Sequence, residues 1–285
     1  MKLGISTYSL SQALHAGEMT IQDVIVFIAS LGAEHAEIVP HGFSLTENPQ
    51  LIEAIKKQAQ ESGIELSNYA VGANFSGLND EQYEQEITRL KQEVDIAAAL
   101  GVKKMRHDVA SSSDLSVTKF LQELPRLARA CQAIADYAAP FGITTSVENH
   151  GYYIQHSDRV QALVELVDRP NFRTTLDIGN FLCVDENPAA AVRNNIKLAS
   201  MVHVKDFYFR SSTESHGEGW FKSTSGNYLR GAIVGHGDIA IPQVLRIVKE
   251  SGYDDYISIE FEGLEDCRLG TRLGFDFVKR AWNEA

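Results

Sequence analysis

Cysteine is scarce in this chain. Cys131, Cys183 and Cys267 are odd in number and widely spaced, so neither a disulfide framework nor a zinc knuckle is implied, and a reducing cytoplasm is the expected setting. Basic charge is also short: 26 Lys and Arg against 38 Asp and Glu give a formal net charge of -12 and a pI near 5.2. That sign disfavours a phosphate backbone as partner, so no nucleic acid is expected. Nowhere do 18 consecutive apolar residues occur, and no membrane span is expected. The strand-like start, Lys2–Ser6, lacks the apolar run of a signal peptide. No Gly-x-Gly-x-x-Gly follows that first strand, which counts against a dinucleotide-binding open sheet.

What is present is ordinary globular composition, 44% apolar and 22% charged, with enough chain for a large core. Short β-type runs at 2–6, 36–39, 64–71, 102–109, 143–149, 173–178, 199–205 and 256–261 alternate with helical patterns at 20–31, 48–62, 80–100, 117–139, 157–167, 188–198, 242–251 and 270–283. Thr20 and Ser157 are the expected N-caps, while Gly63, Gly101 and Gly142 stand just past helix ends. Eight strands alternating with helices, with no linker between them, predict an α/β fold: one (β/α)₈ TIM barrel spanning 1–285 as a single domain. The rhythm breaks at 206–239, a polar, Gly-rich and aromatic stretch after strand seven that reads as a long loop. A loop of that length needs a reason, and covering a substrate is a common one.

Four of the late strands share a design. Val147-Glu148-Asn149-His150-Gly151, Leu176-Asp177-Ile178-Gly179-Asn180, His203-Val204-Lys205-Asp206 and Ser258-Ile259-Glu260-Phe261-Glu262 each carry a carboxylate or an imidazole at or near the strand end. Buried strands seldom hold such groups unless something pairs with them. In a barrel the C-terminal strand ends form the active-site mouth. Glu148, Asp177, His203 and Glu260 would then meet around half of the rim as three carboxylates and one imidazole. This mainly oxygen donor set suits one divalent ion, Mn²⁺, Mg²⁺ or Co²⁺, and also accommodates Zn²⁺.

On these four motifs the chain resembles the sugar isomerase/epimerase superfamily of barrels, akin to xylose isomerase. The resemblance runs from Gly4-Ile5-Ser6 to the Gly252-Tyr253 turn. It implies that Glu148, Asp177, His203 and Glu260 bind one divalent metal. It further implies that Glu148 and Glu260 exchange a substrate proton through a metal-stabilised enediolate of a ketose or keto-sugar. Arg210, seven residues after His203, resembles the arginine such epimerases aim at substrate oxygens. His107, Lys205 and His236 are further substrate-binding candidates, as are His41, His150, His216, Trp220 and Tyr228; Lys205 and Asp206 could equally pair with each other. Where relatives often place a histidine three residues after the strand-six aspartate, this chain has Asn180, which can still bond a hydroxyl. That departure, with Asn68-Tyr69 on strand three, counts against the trinuclear cluster of endonuclease IV-like repair enzymes. The competing functions are a keto-inositol dehydratase, an abasic-site endonuclease and a non-catalytic sugar-binding barrel. The resemblance also implies a homo-oligomer, with a small-molecule sugar as substrate.

Overall fold

Eight parallel strands close on themselves in the computed structural model, which describes residues 1–285. The strands in chain order are β1 (Lys2–Ser6), β2 (His35–Ile38), β3 (Glu65–Val71), β4 (Lys104–His107), β5 (Thr144–Glu148), β6 (Phe172–Asp177) and β7 (Ala199–Val204), then β8 (Asp206–Arg210), β9 (Phe221–Lys222) and β10 (Tyr228–Ala232), and finally β11 (Tyr256–Ile259). Strands β1 to β7 and β11 form the barrel, in which β11 pairs with both β7 and β1. The helices are α1 (Ser11–His15), α2 (Ile21–Ser30), α3 (Gln50–Ser62), α4 (Asp80–Leu100), α5 (Val117–Ala138), α6 (Ser157–Val167), α7 (Pro188–Asn195), α8 (Ile241–Glu250) and α9 (Cys267–Glu284). This is a TIM barrel, as the alternation of elements predicts.

Local chemistry sets the helix ends. Thr20 and Asp23 form a reciprocal capping box on α2, as Asn79 and Gln82 do on α4. Gly63 and Gly101 end α3 and α4 with φ of +69° and +82°, a conformation open to glycine at little cost. Ser157 departs from expectation. It is the first residue of α6 rather than its cap, and its N–H and hydroxyl both donate to Glu186. The one-turn helix α1 and the 3₁₀ turn before it were not legible, because five residues are too few to show a period.

The stretch 206–239 is also a correction. It is no irregular loop but carries a three-stranded antiparallel sheet in the order β8-β10-β9, with Asp206 paired to Ala232 and Arg210 to Tyr228. Asp206 fastens its base: the buried carboxylate accepts N–H bonds from Phe207, Gly235 and Gly237, each at 2.9 Å, and from Ile239 at 3.3 Å. It is therefore committed to backbone donors and does not pair with Lys205.

Strand alternation divides the barrel wall into two faces. Val147, Leu176, Val202, Val204, Ile257 and Ile259 pack outward into the apolar layer shared with the helices. The inward residues are polar, and register proves their common face. Arg106 sits beside Ser146, Glu148 beside Thr175, Asp177 beside His203, and His203 beside Ser258.

Candidate metal centre and active-site cavity

At the C-terminal ends of β5, β6, β7 and just beyond β11, Glu148, Asp177, His203 and Glu260 each turn one ligand atom to a common point. Those four atoms lie within 4.8 Å of one another. All four side chains are buried. Asn149 ties the neighbouring strand ends together, accepting from the Asp177 N–H and donating to the Asp177 carbonyl, both at 2.8 Å. The N–H of Asn180 donates to Asp177 Oδ1 at 2.8 Å, and its amide donates to Glu148 Oε1 at 2.9 Å.

Among these four side chains, two buried atoms have no hydrogen-bond partner, His203 Nδ1 and Asp177 Oδ2. Unpaired polar atoms at such depth are costly. His203 is also held by its other nitrogen: Nε2 lies 2.9 Å from Glu37, whose carboxylate accepts from Asn68 at 2.7 Å. A carboxylate behind an imidazole fixes the ring and leaves the far nitrogen free as a ligand. These features fit a divalent cation. Glu37 is an outer partner not legible in the sequence, since a glutamate in a four-residue strand gives no sign of which histidine it faces. Glu37→Gln is expected to weaken divalent-ion affinity by about 10- to 100-fold, read by competition against a metallochromic chelator; unchanged affinity would deny Glu37 that role.

Cationic side chains flank the cluster. Arg106 Nε lies 2.6 Å from Glu148 Oε2 and its Nη2 lies 3.0 Å from Asp108. Lys205 Nζ is 2.6 Å from Glu260, 3.1 Å from Glu262 and 3.6 Å from Asp177 Oδ2. Burial disfavours the ionised forms of Glu148 and Glu260, but Arg106 and His203 beside the first, and Lys205 and His203 beside the second, hold both below the usual carboxylate range. Asp177 goes the other way: burial, with the charges of Glu148 and Glu260 added, outweighs Lys205 and pushes its carboxyl up to about 7. Burial works against an imidazolium at His203, yet Glu37, Glu260 and Glu148 push it up to about 10.

Above this floor opens a cavity of about 450 Å³, whose wall includes Tyr8, His41, Arg106, Asp108, Glu148, His150, His203, Lys205, Glu260 and Glu262. Lys205 and His150 are the sequence candidates that, with His41, line this cavity. Asn180 touches Glu148 and Asp177 rather than this cavity, and lines a smaller chamber next to it. Other candidates lie elsewhere. His107 pairs in register with Val147 and so faces the helices, where it is fully buried beside Phe172. Arg106 and Asp108, one step to either side, reach the cavity instead. The register of β4 against β5 selects them.

Arg210 and His236 do not line this cavity either. Arg210 is exposed, donates to the Ser215 carbonyl at 2.7 Å and lies 5.0 Å over the Trp220 ring. The antiparallel turn of β8 carries it away from the rim, which spacing from His203 cannot foretell. His236 is exposed beyond β10, and His216 stacks on Tyr228 at 3.6 Å within the inserted sheet. His150 does line the cavity, 3.2 Å from Asp108; burial opposes its charge, but Asp108 and Glu148 raise its pKa above the ordinary histidine value.

A family model described as xylose isomerase-like TIM barrel matches residues 25–281. Among curated proteins, an inosose isomerase of Halalkalibacterium halodurans is 24% identical over 193 residues, which are 65% of this chain and 62% of that protein. An inosose dehydratase of Clostridium perfringens is 20% identical over 283 residues, 93% of this chain and 89% of that one. Among solved structures, the IOLI protein with a bound zinc atom superposes with a TM-score of 0.73 at 18% identity, covering 100% of this chain and 97% of its own. A xylose isomerase-like TIM barrel/4-hydroxyphenylpyruvate dioxygenase fusion protein gives a TM-score of 0.74 at 18% identity; the match covers 99% of this chain but 42% of the fusion.

Proposed function

Because the chain belongs to the xylose isomerase-like TIM barrel family, we propose that it is a divalent-metal-dependent isomerase or epimerase of a ketose or keto-sugar. One observation carries this reading: two buried glutamates, Glu148 and Glu260, stand beside two ligand atoms that have no hydrogen-bond partner, His203 Nδ1 and Asp177 Oδ2. A divalent ion held by these four residues supplies Lewis-acid polarisation of a ketose carbonyl, which eases loss of the adjacent proton.

The chain's own groups do the rest. Either glutamate can accept the proton from the carbon next to the carbonyl, and the other, across the cavity floor, can return one to the opposite face. Both are pre-positioned, Glu148 by Arg106 and Asn180, Glu260 by Lys205, so little rotamer freedom is lost on the way to reaction. Lys205 offers an ammonium to the developing negative charge on substrate oxygen. Tyr8, His150, Asp108 and Glu262 present donors and acceptors to the remaining hydroxyls.

The test is solvent-deuterium incorporation, followed by NMR, on metal-reconstituted protein offered a panel of free and glycosylated ketoses and keto-inositols. Metal-dependent exchange at a carbon beside the carbonyl is expected. Its failure across the panel in protein shown to bind the ion would remove the proposal. A second reading, dehydration of a keto-inositol, is favoured by the similarity to an inosose dehydratase along nearly the whole chain. It shares the first proton abstraction and then expels a hydroxyl, so an unsaturated product distinguishes it.

A further inference from the structure

Beside the reaction cavity lies a chamber of about 220 Å³ that the proposed chemistry does not use. His150, Lys205 and Glu262 belong to the walls of both. His150 and Glu262 are half-exposed, 49% and 43%, so the partition between the two spaces is a row of polar side chains whose upper edge meets solvent.

The far side of the chamber is aromatic. Phe207 and Phe221 come from the inserted sheet and meet edge to face, with centroids 5.6 Å apart. Tyr152 closes another side. Its φ is +66°, left-handed backbone that a tyrosine seldom adopts, directly after Gly151 at +77°. Two bonds hold it there: its N–H donates to the buried Gln155 side chain, and its hydroxyl donates to the Lys222 carbonyl of β9 at 3.0 Å. A residue kept in an uncommon conformation from both ends, by a barrel loop and by the insertion, marks a wall whose place matters. Aromatic faces bordered by amides, an ammonium and a carboxylate suit a hydroxylated ring, which presents C–H groups to the one and hydroxyls to the other. A purely hydrocarbon group would leave Lys205 and Glu262 facing an apolar surface.

We propose that this chamber seats a second sugar ring, so that the substrate is a ketose or keto-sugar in glycosidic linkage rather than a free monosaccharide. The inference rests on the isomerase reading for the ring that reacts and adds the group attached to it. The inserted sheet then serves as a specificity element, since it brings Phe207 and Phe221 to the chamber.

Binding titrations and saturation-transfer NMR on the metal-loaded chain would use D-fructose and three ketose disaccharides, turanose, lactulose and isomaltulose, which differ in the position of the glycosidic bond. At least one disaccharide should bind about tenfold more tightly than D-fructose, on the order of what one well-made aromatic contact supplies. Its glycosyl protons should receive saturation from the protein. Phe221→Ala, a change on a partly exposed two-residue strand, should abolish both effects while leaving D-fructose affinity unchanged. If no disaccharide outbinds D-fructose in the wild-type chain, or if the variant weakens D-fructose equally, the second-ring proposal is overturned. Deuterium exchange into free ketoses would, in that event, leave the isomerase reading standing. Absence of exchange and of binding for all four sugars would overturn both.

Discussion

Glu148→Gln and Glu260→Gln should each depress metal-dependent proton exchange by about 10²- to 10⁴-fold at saturating ion, the range that a positioned acid or base contributes. The two variants differ in what else they disturb. Glu148 is gripped by Arg106 at 2.6 Å and by Asn180 at 2.9 Å, and the amide oxygen of a glutamine can still accept from either. What changes is charge: Arg106, buried with Asp108 as its other carboxylate, would lose half its compensation. Glu260 faces Lys205 instead, and its loss leaves that ammonium to Glu262 and Asp177. Both variants should therefore weaken the ion somewhat, and exchange must be compared after saturation. Loss of exchange with retained ion binding is the expected result. Exchange above a tenth of the wild-type rate in either variant would remove that glutamate from the proton path.

Stripping the ion should make the protein less stable toward alkaline pH, the reverse of what acid-sensitive carboxylates produce. Asp177 has a folded pKa near 7 against an ordinary value of 3.8. Between those limits the folded chain holds a proton that the unfolded chain has released, so stability falls as pH rises through this window and levels off above it. At roughly 1.4 kcal/mol per pH unit the loss is at most about 4 kcal/mol. His203, raised to about 10, works in the same direction: its contribution is full below the unfolded value near 6.5 and is lost as pH climbs through 10. A divalent ion displaces these protons and binds best where they are already gone. At about a thousand times its Kd it would return about 4 kcal/mol. The Tm gap between ion-loaded and chelated protein should thus widen from pH 5 to pH 8, reaching on the order of 10 °C, and Asp177→Asn should flatten the pH slope of the chelated form. A gap that narrows with pH would refute the assignment of Asp177 and His203 as ligands.

Much of the fold was legible because its signals are local. The turns of helix that end at Gly63 and Gly101, the Thr20 cap and the short β-type runs are set by neighbours within a few residues. The four candidate ligands were legible for a related reason: each ends a β-run, and a charged group at such a place calls for a partner. Arg106 and Asp108 were passed over in favour of His107, although register against Val147 settles which of the three turns outward. Arg210 and His236 were misplaced because the inserted sheet has no strong period of its own, and its strands are two to five residues long.

The sequence by itself determined the order of strands and helices and the places where carboxylates and an imidazole close those strands, since alternation and capping are written into adjacent residues. Only the tertiary structure decided which groups meet. The closure of β11 onto β1 and β7, the carboxylate of Glu37 set behind His203, Lys205 among three acids, and Phe207 with Phe221 beside Tyr152 all join residues far apart in the chain. Side-chain contacts of that kind depend on how the barrel closes and on where an insertion folds back, and no local pattern encodes either.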